Sequence, residues 1–204
     1  MVGATAQLRA VVAAHAPRTP REVASKERFL DELDRLDDPC NEQAGPVHVT
    51  ASAVVVGTRG TVLHLHKRLG RWMQPGGHID AGESPPRAAR REAIEELGLD
   101  VEHPEDGPHL IHLDVHAAAL GHTHLDLRYL LLGSDDDPNP PPGESPEARW
   151  YDWGDAAATA DEALAPALVV ARAEWDALTS GGKVNQSVHS RGDGELDGEL
   201  GRGE

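Results

Sequence analysis

The sequence of 204 residues predicts an α/β protein with helices on both sides of a central sheet. Short segments of alternating apolar residues lie before and after a helical segment at 84–97. Apolar residues recur at helical spacing again at 162–178, close to the last strand-like segment. Strands and helices in this order pack as layers around one hydrophobic core.

The first 44 residues predict a helical extension that packs on the main domain. Residues 4–16 have helical character and end at Pro17, and a second helix is predicted over about 21–36. Its apolar residues stand at helical spacing, namely Phe29, Leu30, Leu33 and Leu36. A polar loop at 37–46 then leads into a main domain predicted at 45–178.

The main domain holds the predicted strands, which are 48–56, 61–66, 72–74, 110–117, 122–132 and 149–151. A loop rich in proline and aspartate separates the last two, at 133–146. The final segment, 179–204, is rich in Gly, Asp and Glu. It has too little apolar surface to form a core, so we expect a disordered acidic tail.

The most informative segment is the helix predicted between Pro85 and Gly98, which carries three glutamates on one face. Glu92 and Glu96 are like charges four residues apart, and Glu95 and Glu96 stand in the last turn, where the helix dipole favours cations. A bound divalent cation would relieve this repulsion, because hard metals take carboxylate oxygens. The alternative is a solvated acidic helix face.

The spacing around these glutamates is that of a known signature. Gly77 is followed after five residues by Glu83, and after seven more by the segment 91–99, which reads REAIEELGL. This pattern resembles the signature box of the Nudix hydrolases at every position, over 23 residues. The resemblance implies an α/β/α sandwich with a mixed central sheet.

The resemblance also implies an activity, the metal-dependent hydrolysis of phosphoric anhydrides. The substrate would be a nucleoside diphosphate linked to another moiety, such as a nucleotide sugar, ADP-ribose or a nucleoside triphosphate. The implied cofactor is Mg²⁺, with Mn²⁺ as a possible substitute, and the implied ligands are Glu92, Glu95, Glu96 and the carbonyl of Gly76. Arg91 would orient the carboxylates with Glu83 as its partner, so the catalytic set is Glu92, Arg91 and Glu83.

The general base has two interpretations from the sequence. It is either Glu92, within the box, or a carboxylate beside the proline-rich loop, Glu144 or Glu147. The simpler interpretation of the last two is that they are solvated loop charges.

A hairpin predicted at 110–132 is unusually rich in histidine. Period-two alternation places its polar side chains on one face, namely His112, Asp114, His116, His122, His124, Asp126 and Arg128. This face predicts a substrate-phosphate or second metal site, and its alternative is an exposed sheet face of ordinary cross-strand neighbours. The predicted substrate-binding residues are His78, His112, His116, His122, His124 and Arg128.

Composition limits the partners. A formal net charge of −16 gives no sequence-independent affinity for polymeric nucleic acid, so we expect a small-molecule substrate. Cys40 is the one cysteine, which excludes an internal disulfide and suits a reducing, cytoplasmic setting. No run of 18 apolar residues predicts a membrane span. A homodimer is possible, but no feature requires one.

Two other functions remain as alternatives. A Nudix-fold sensor that binds a nucleotide without turnover typically lacks box carboxylates, and all of them are present here. An isomerase of isopentenyl diphosphate normally needs a catalytic cysteine in the sheet, whereas Cys40 lies in the loop that precedes it.

Overall fold

The computed structural model describes residues 2–182, in which one mixed sheet of eight strands packs with five α-helices. The α/β class predicted from the sequence, with helices before the sheet, is confirmed. Most of the predicted acidic tail, from residue 183 onward, lies outside the described residues, and 179–180 belong to the last helix. Among the described residues, no helix combines the length and apolar character that crossing a bilayer requires.

The helices are α1 (Val2–Ala14), α2 (Pro20–Leu33), α3 (Pro85–Leu97), α4 (Trp153–Thr159) and α5 (Ala165–Ser180). The strands are β1 (Val47–Gly57), β2 (Gly60–His66), β3 (Arg71–Met73), β4 (Gly76–His78), β5 (Val101–Glu102), β6 (His109–Ala117), β7 (Thr123–Gly133) and β8 (Ala148–Tyr151).

The centre of the sheet is the parallel pair β1 and β7, which are matched over ten residues from Val47 opposite Thr123 to Val56 opposite Leu132. The short strand β4 and the beginning of β2 both pair with β1 in antiparallel fashion. On the other side, β7 pairs antiparallel with β6 and β5. This topology places β4, the strand that leads into α3, directly beside the middle of β1.

Each face of the sheet buries a separate apolar core, because successive strand residues point to opposite faces. One face packs Val49, Ala51 and Leu127 against α3, through residues such as Ala93 and Leu97. Apolar residues of α1 and α2 join this same core, namely Leu8, Val12, Phe29 and Leu33. The predicted extension therefore shares its core with the main domain, and the boundary between 44 and 45 stays a prediction.

The opposite face carries the second core, in which Val54 and Leu130 of the central strands pack against Leu168 of α5. This core covers only part of the face. The strand residues nearer the start of β1 and β7 on the same side are polar, as described below for the functional site.

Helix α2 protects the open edge of the sheet at β6. The carboxylate of Glu22 accepts a hydrogen bond from the backbone N–H of Leu113, and the hydroxyl of Ser25 accepts one from Val115, both at 3.2 Å. Unpaired edge groups otherwise invite pairing with another chain, so these side chains complete the hydrogen bonding of the strand.

The end of the chain differs from the prediction, because the single helix expected at 162–178 is preceded by a separate helix, α4. Asp152 caps α4 by accepting hydrogen bonds from the N–H groups of Gly154 and Asp155. Its seven residues are mostly small, so no apolar stripe reveals the helix in the sequence. The two-residue strand β5 is likewise too short to show an alternating pattern.

Candidate active site

The helix that carries the three glutamates, α3, begins and ends where the sequence predicts. Ser84 stands at the N-cap position and Pro85 at the first helical position, although no hydrogen bond from the Ser84 side chain caps the described helix. Gly98 ends it in the left-handed conformation with φ of 57°. A Cβ at Gly98 would lie 1.9 Å from the carbonyl oxygen of Asn139, so only glycine fits this turn.

Two glycines of β4 bring the backbone against the glutamates. A Cβ at Gly77 would lie 2.5 Å from Oε1 of Glu92, which is closer than any real contact. The N–H of Gly76 donates a hydrogen bond to Oε2 of Glu96 at 2.9 Å. Both carboxylates therefore lie against the strand, and a larger side chain at Gly77 would displace the carboxylate of Glu92.

Arg91 connects the box residues through one guanidinium. Its Nη1 donates to Glu92 at 2.8 Å and to Glu95 at 3.1 Å, and its Nη2 donates to Glu83 at 3.0 Å. The same Nη2 reaches the backbone carbonyl of His78 at 2.9 Å. A planar guanidinium with five donors can hold several carboxylates at fixed angles, which a lysine cannot do.

The electrostatics of this face favour a cation. The side chains of Glu92 and Glu96 are only 16% and 17% exposed, whereas Glu95 is 54% exposed. Burial, followed by the negative charges of Glu92, Glu144 and Glu95, raises the pKa of Glu96 to about 8 against the opposing hydrogen bond from Gly76. Burial also raises the pKa of Glu92. A nearby cation would offset the burial and mutual repulsion that raise these pKa values. The carboxylates are therefore a donor set that fits a hard divalent metal.

The candidates for a general base differ in position. Glu144 is half-buried and close enough for its charge to raise the pKa of Glu96. Glu147 is exposed, and its backbone carbonyl accepts a hydrogen bond from Leu65 of β2. Of the two loop residues, Glu144 therefore has the electrostatic contact with the box.

His64 of β2 also borders the box. Its side chain is buried, and Nε2 lies 3.7 Å from Oε2 of Glu96. Burial and the neighbouring His66 lower the pKa of His64 to about 4, so that it is neutral near pH 7.

The histidine-rich hairpin forms from β6 and β7 with His112 opposite Arg128, Asp114 opposite Asp126, and His116 opposite His124. This face has two parts. Arg128 is 3% exposed and lies in a buried polar network, and His112, 1% exposed, lies opposite it with no hydrogen bond from either ring nitrogen to the described residues. His116 and His124 lie nearer the end of the strands and are partly exposed, as is His122 beyond them.

The buried network is closed by other elements. Arg128 donates to Asp114 and Asp126 and to the backbone carbonyl of Ala163, in the segment before α5. Arg21 of α2 donates to Asp114 from the outside. Neither His112 nor Arg128 reaches the surface in this structure, and their predicted contact with substrate stays a prediction.

Two residues of this region were not predicted as site residues from the sequence. His48, near the start of β1, lies beside His124 in the parallel register, and Glu42 contacts Nδ1 of His78 at 2.9 Å. Only the pairing of β1 with β7, which joins segments 76 residues apart, reveals that His48 belongs with the hairpin histidines.

A groove of about 1170 Å³ opens beside the loop that precedes α3. It runs between residues 37–43 and 78–86, and its floor includes Leu110 and Tyr129. Among the described residues that line it is Glu83, whereas Glu92, Glu95 and Glu96 do not line it. The groove therefore reaches the box from the side of Glu83.

Comparison with known proteins identifies the class. The family model for the NUDIX domain matches residues 46–185, well over half of the chain. The protein belongs to the NUDIX family.

Solved structures agree with this assignment. A NUDIX-family hydrolase from Clostridium perfringens is 30% identical, with a TM-score of 0.54 over 64% of this chain and 97% of its own. A MutT NUDIX hydrolase from Burkholderia pseudomallei is 28% identical, with a TM-score of 0.50 over 60% and 95%. An Ap4A hydrolase from C. elegans, 23% identical with a TM-score of 0.50 over 65% and 98%, shares the fold. Family and neighbours together support a Nudix hydrolase.

Proposed function

We propose that this protein hydrolyses a pyrophosphate bond in a nucleoside diphosphate linked to another moiety. The observation that carries the proposal is the single guanidinium of Arg91, which contacts Glu83, Glu92 and Glu95 at once. Carboxylates gathered on one helix face repel each other and destabilise the helix. Such an arrangement is expected at a functional site and not on an ordinary helix surface. The membership in a family of hydrolases supports the same reaction.

Glu92, Glu95, Glu96 and the carbonyl of Gly76 are the residues that would hold the metal, Mg²⁺ or in its place Mn²⁺. When bound, the metal supplies positive charge that neutralises the phosphate oxygens in the transition state. The chain itself positions these ligands. The N–H of Gly76 bonds to Glu96, Gly77 leaves room for Glu92 beside β4, and Arg91 limits the rotation of Glu92 and Glu95.

The attacking water needs a base, and Glu92 and Glu144 are the two carboxylates that the geometry favours. Glu92 lies in the box, and burial raises its pKa, which makes it a stronger proton acceptor than a free carboxylate. Glu144 approaches Glu96 from the proline-rich loop. The exposed Glu147 is the weaker candidate.

The groove beside Glu83 is the place we propose for the part of the substrate that is not phosphate. It is large enough for a nucleoside or sugar, and Leu110 and Tyr129 provide apolar surface at its floor. His78, which follows Gly77 in β4, is among the residues that line the groove.

A direct test is the variant Glu96→Gln, which keeps the size of the side chain and removes its charge. Nucleotide products from ADP-ribose, nucleotide sugars, dinucleoside polyphosphates and nucleoside triphosphates are separated by chromatography, with Mg²⁺ or Mn²⁺ present. We expect kcat to fall by about a hundredfold or more, since several kcal/mol of charge stabilisation depend on the metal. Glu102→Gln, at an exposed residue paired with Arg90, is the matched control. Normal turnover by Glu96→Gln contradicts the proposal.

A further inference from the structure

Three histidines from three different strands meet on the sheet. His48 of β1 lies beside His124 of β7 in the parallel register, and His78 of β4 pairs next to them, opposite Thr50. The ring centroids of the three histidines are 5.0–5.5 Å apart. One ring nitrogen from each can be chosen so that all three lie within 4.8 Å of one another.

His48 is fully buried and unsatisfied. Its exposed fraction is 0%, and neither ring nitrogen makes a hydrogen bond to any described residue. The backbone of Gly45 lies near enough to affect its pKa, but falls short of hydrogen-bond geometry. Buried polar atoms are paired in the great majority of cases, so two orphaned nitrogens in one ring require a partner. The neighbouring rings of His78 and His124 show on which side that partner belongs.

Histidine is a common ligand of divalent transition metals, because its imidazole ring offers a nitrogen lone pair. His48, His78 and His124 bring three such donors to one place.

Carboxylates orient the surrounding histidines from outside the cluster. Glu42 contacts Nδ1 of His78 at 2.9 Å, which leaves Nε2 of the same ring for a ligand. Asp114 contacts Nδ1 of His116 at 3.0 Å, and the ring of His116 lies 5.4 Å from that of His124. Metal-binding histidines characteristically have such a carboxylate on the second ring nitrogen, where it fixes the tautomer and the direction of the ring.

The cluster is separate from the glutamate box. Gly77 faces Glu92, and successive strand residues point to opposite faces, so the side chain of His78 points away from that glutamate. The neighbouring positions on β1 agree, because the Cβ that Gly76 lacks would lie against Ser52, on the face that carries Thr50 and His48. The sheet therefore stands between the two sets of ligands.

We propose that His48, His78 and His124 form a second metal site, selective for a borderline divalent transition metal such as Zn²⁺. Three imidazoles and an open position are a common arrangement for zinc. Tetrahedral ligation needs nitrogens roughly 3.4 Å apart, so small rotations of the rings complete the site. His122, whose ring lies 5.3 Å from that of His48, is a candidate for the fourth position. The ion would tie β4 to β1 and β7 at the point where the chain enters the box.

The selectivity follows from ligand chemistry. Imidazole nitrogens suit Zn²⁺, Ni²⁺ and Cu²⁺, whereas Mg²⁺ prefers oxygen ligands in octahedral geometry. The two sites should therefore be separable in one solution: excess Mg²⁺ competes for the carboxylates of the box and leaves the histidines free. The proposal does not depend on the hydrolytic activity of the box.

The experiment uses the full chain without a histidine tag, in millimolar Mg²⁺. Equilibrium dialysis measures bound Zn²⁺, and Co²⁺ as a spectroscopic substitute reports low-symmetry coordination by an intense visible absorption band. We expect one Zn²⁺ per chain under these conditions. His78→Ala, at an exposed side chain whose loss leaves no buried cavity, should weaken Zn²⁺ binding by at least about tenfold, as should His124→Gln.

Two further variants sharpen the result. Glu42→Gln should weaken Zn²⁺ binding by about tenfold, as expected for loss of an orienting carboxylate. His109→Gln, at the far end of β6 where the ring contacts Asp106 and Glu174, should bind Zn²⁺ like the unaltered protein. Circular dichroism and thermal unfolding without metal verify that each variant is folded.

Three outcomes overturn the proposal: no Zn²⁺ bound in excess Mg²⁺, equal binding by His78→Ala and the unaltered chain, or loss of Zn²⁺ binding in Glu96→Gln but not in the histidine variants. The last result would place the ion in the box. Unchanged Zn²⁺ binding by a Glu96→Gln variant that has lost turnover supports two independent sites.

Discussion

The hydrogen that Gly77 carries in place of a side chain is what allows the carboxylate of Glu92 to rest against β4, since a Cβ there would lie 2.5 Å from Oε1. The backbone of Gly77 has no positive φ, so alanine at this position would displace the Glu92 carboxylate without straining the backbone. Strand and helix are thus fitted together at the residue where the proposed chemistry takes place.

Gly77→Ala is expected to reduce kcat by about a hundredfold, because displacement of a catalytic group by about an ångström has effects of this size. Steady-state kinetics on the best substrate of the panel measures the loss. Gly45→Ala is the control, since a Cβ at Gly45 meets no atom within 4 Å. Equal kinetics for the two variants would mean that Glu92 does not depend on its contact with the strand.

Arg91→Lys is expected to lower kcat at least about tenfold, since a single ammonium cannot replace a guanidinium that contacts three glutamates. Arg90→Lys supplies a neighbouring control, because Arg90 contacts Glu102 and the carbonyl of Val101 outside the site. If both variants lose the same activity, the effect comes from helix stability and not from the orientation of the carboxylates.

Glu144→Gln should reduce kcat more than Glu147→Gln, because only Glu144 is close enough to raise the pKa of Glu96 by its charge. We expect about a hundredfold loss for Glu144→Gln if it is the base and near-normal turnover for Glu147→Gln. The comparison is made on kcat at saturating substrate. Normal turnover by both variants leaves Glu92 as the base.

Glu22→Ala is expected to lower the free energy of unfolding by about 3 kcal/mol, since buried N–H groups lose their acceptor. The carboxylate accepts from Leu113 at 3.2 Å and from Arg18 at 2.7 Å, and it is 1% exposed. Urea unfolding measures the change. Glu27→Ala, at an exposed position of the same helix, should stay within about 0.5 kcal/mol of the unaltered protein. Similar losses in both would show that helix propensity, not the sheet edge, is responsible.

The lowered pKa of Asp114 predicts that the free energy of unfolding decreases in acid. Burial alone would raise its pKa, but the hydrogen bond with His116 and the charge of Arg128 outweigh burial and lower the pKa to about 2, from 3.8 in the unfolded chain. A lowered folded-state pKa stabilises the protein above about pH 4, and this contribution, roughly 2 kcal/mol, is lost as pH falls towards 2.

Urea unfolding between pH 6 and pH 2 tests this dependence. Asp114→Asn should be less stable near pH 6 and should lose less stability on acidification. Asp176→Asn, at an exposed residue of α5 that lies 4.0 Å from Arg172, should leave the slope unchanged. An Asp114→Asn variant with the same slope as the unaltered chain would show that Asp114 is not the group responsible.

The sequence by itself determined the catalytic helix. Pro85 and Gly98 bound it because one has no N–H to lose and the other accepts a left-handed turn, and the spacing of its glutamates identifies the family. These are local properties, set by residues a few positions apart. The four long strands, β1, β2, β6 and β7, followed for the same reason, since alternation over five or more residues is visible in the chain, whereas the short strands β4 and β5 were not predicted.

Only the tertiary structure decided which polar residues meet. The sequence placed the hairpin histidines on one face, but in the structure His112 and Arg128 are buried, where Arg128 bonds to the carbonyl of Ala163. His48 joins the partly exposed histidines from the parallel strand, 76 residues away. Pairing between distant strands and the packing of later helices over a sheet depend on the whole core, which no local pattern encodes. The glutamate site could be recognised in the sequence because helix geometry fixes the spacing of its residues. The histidine cluster could not, because it forms only where three strands come together.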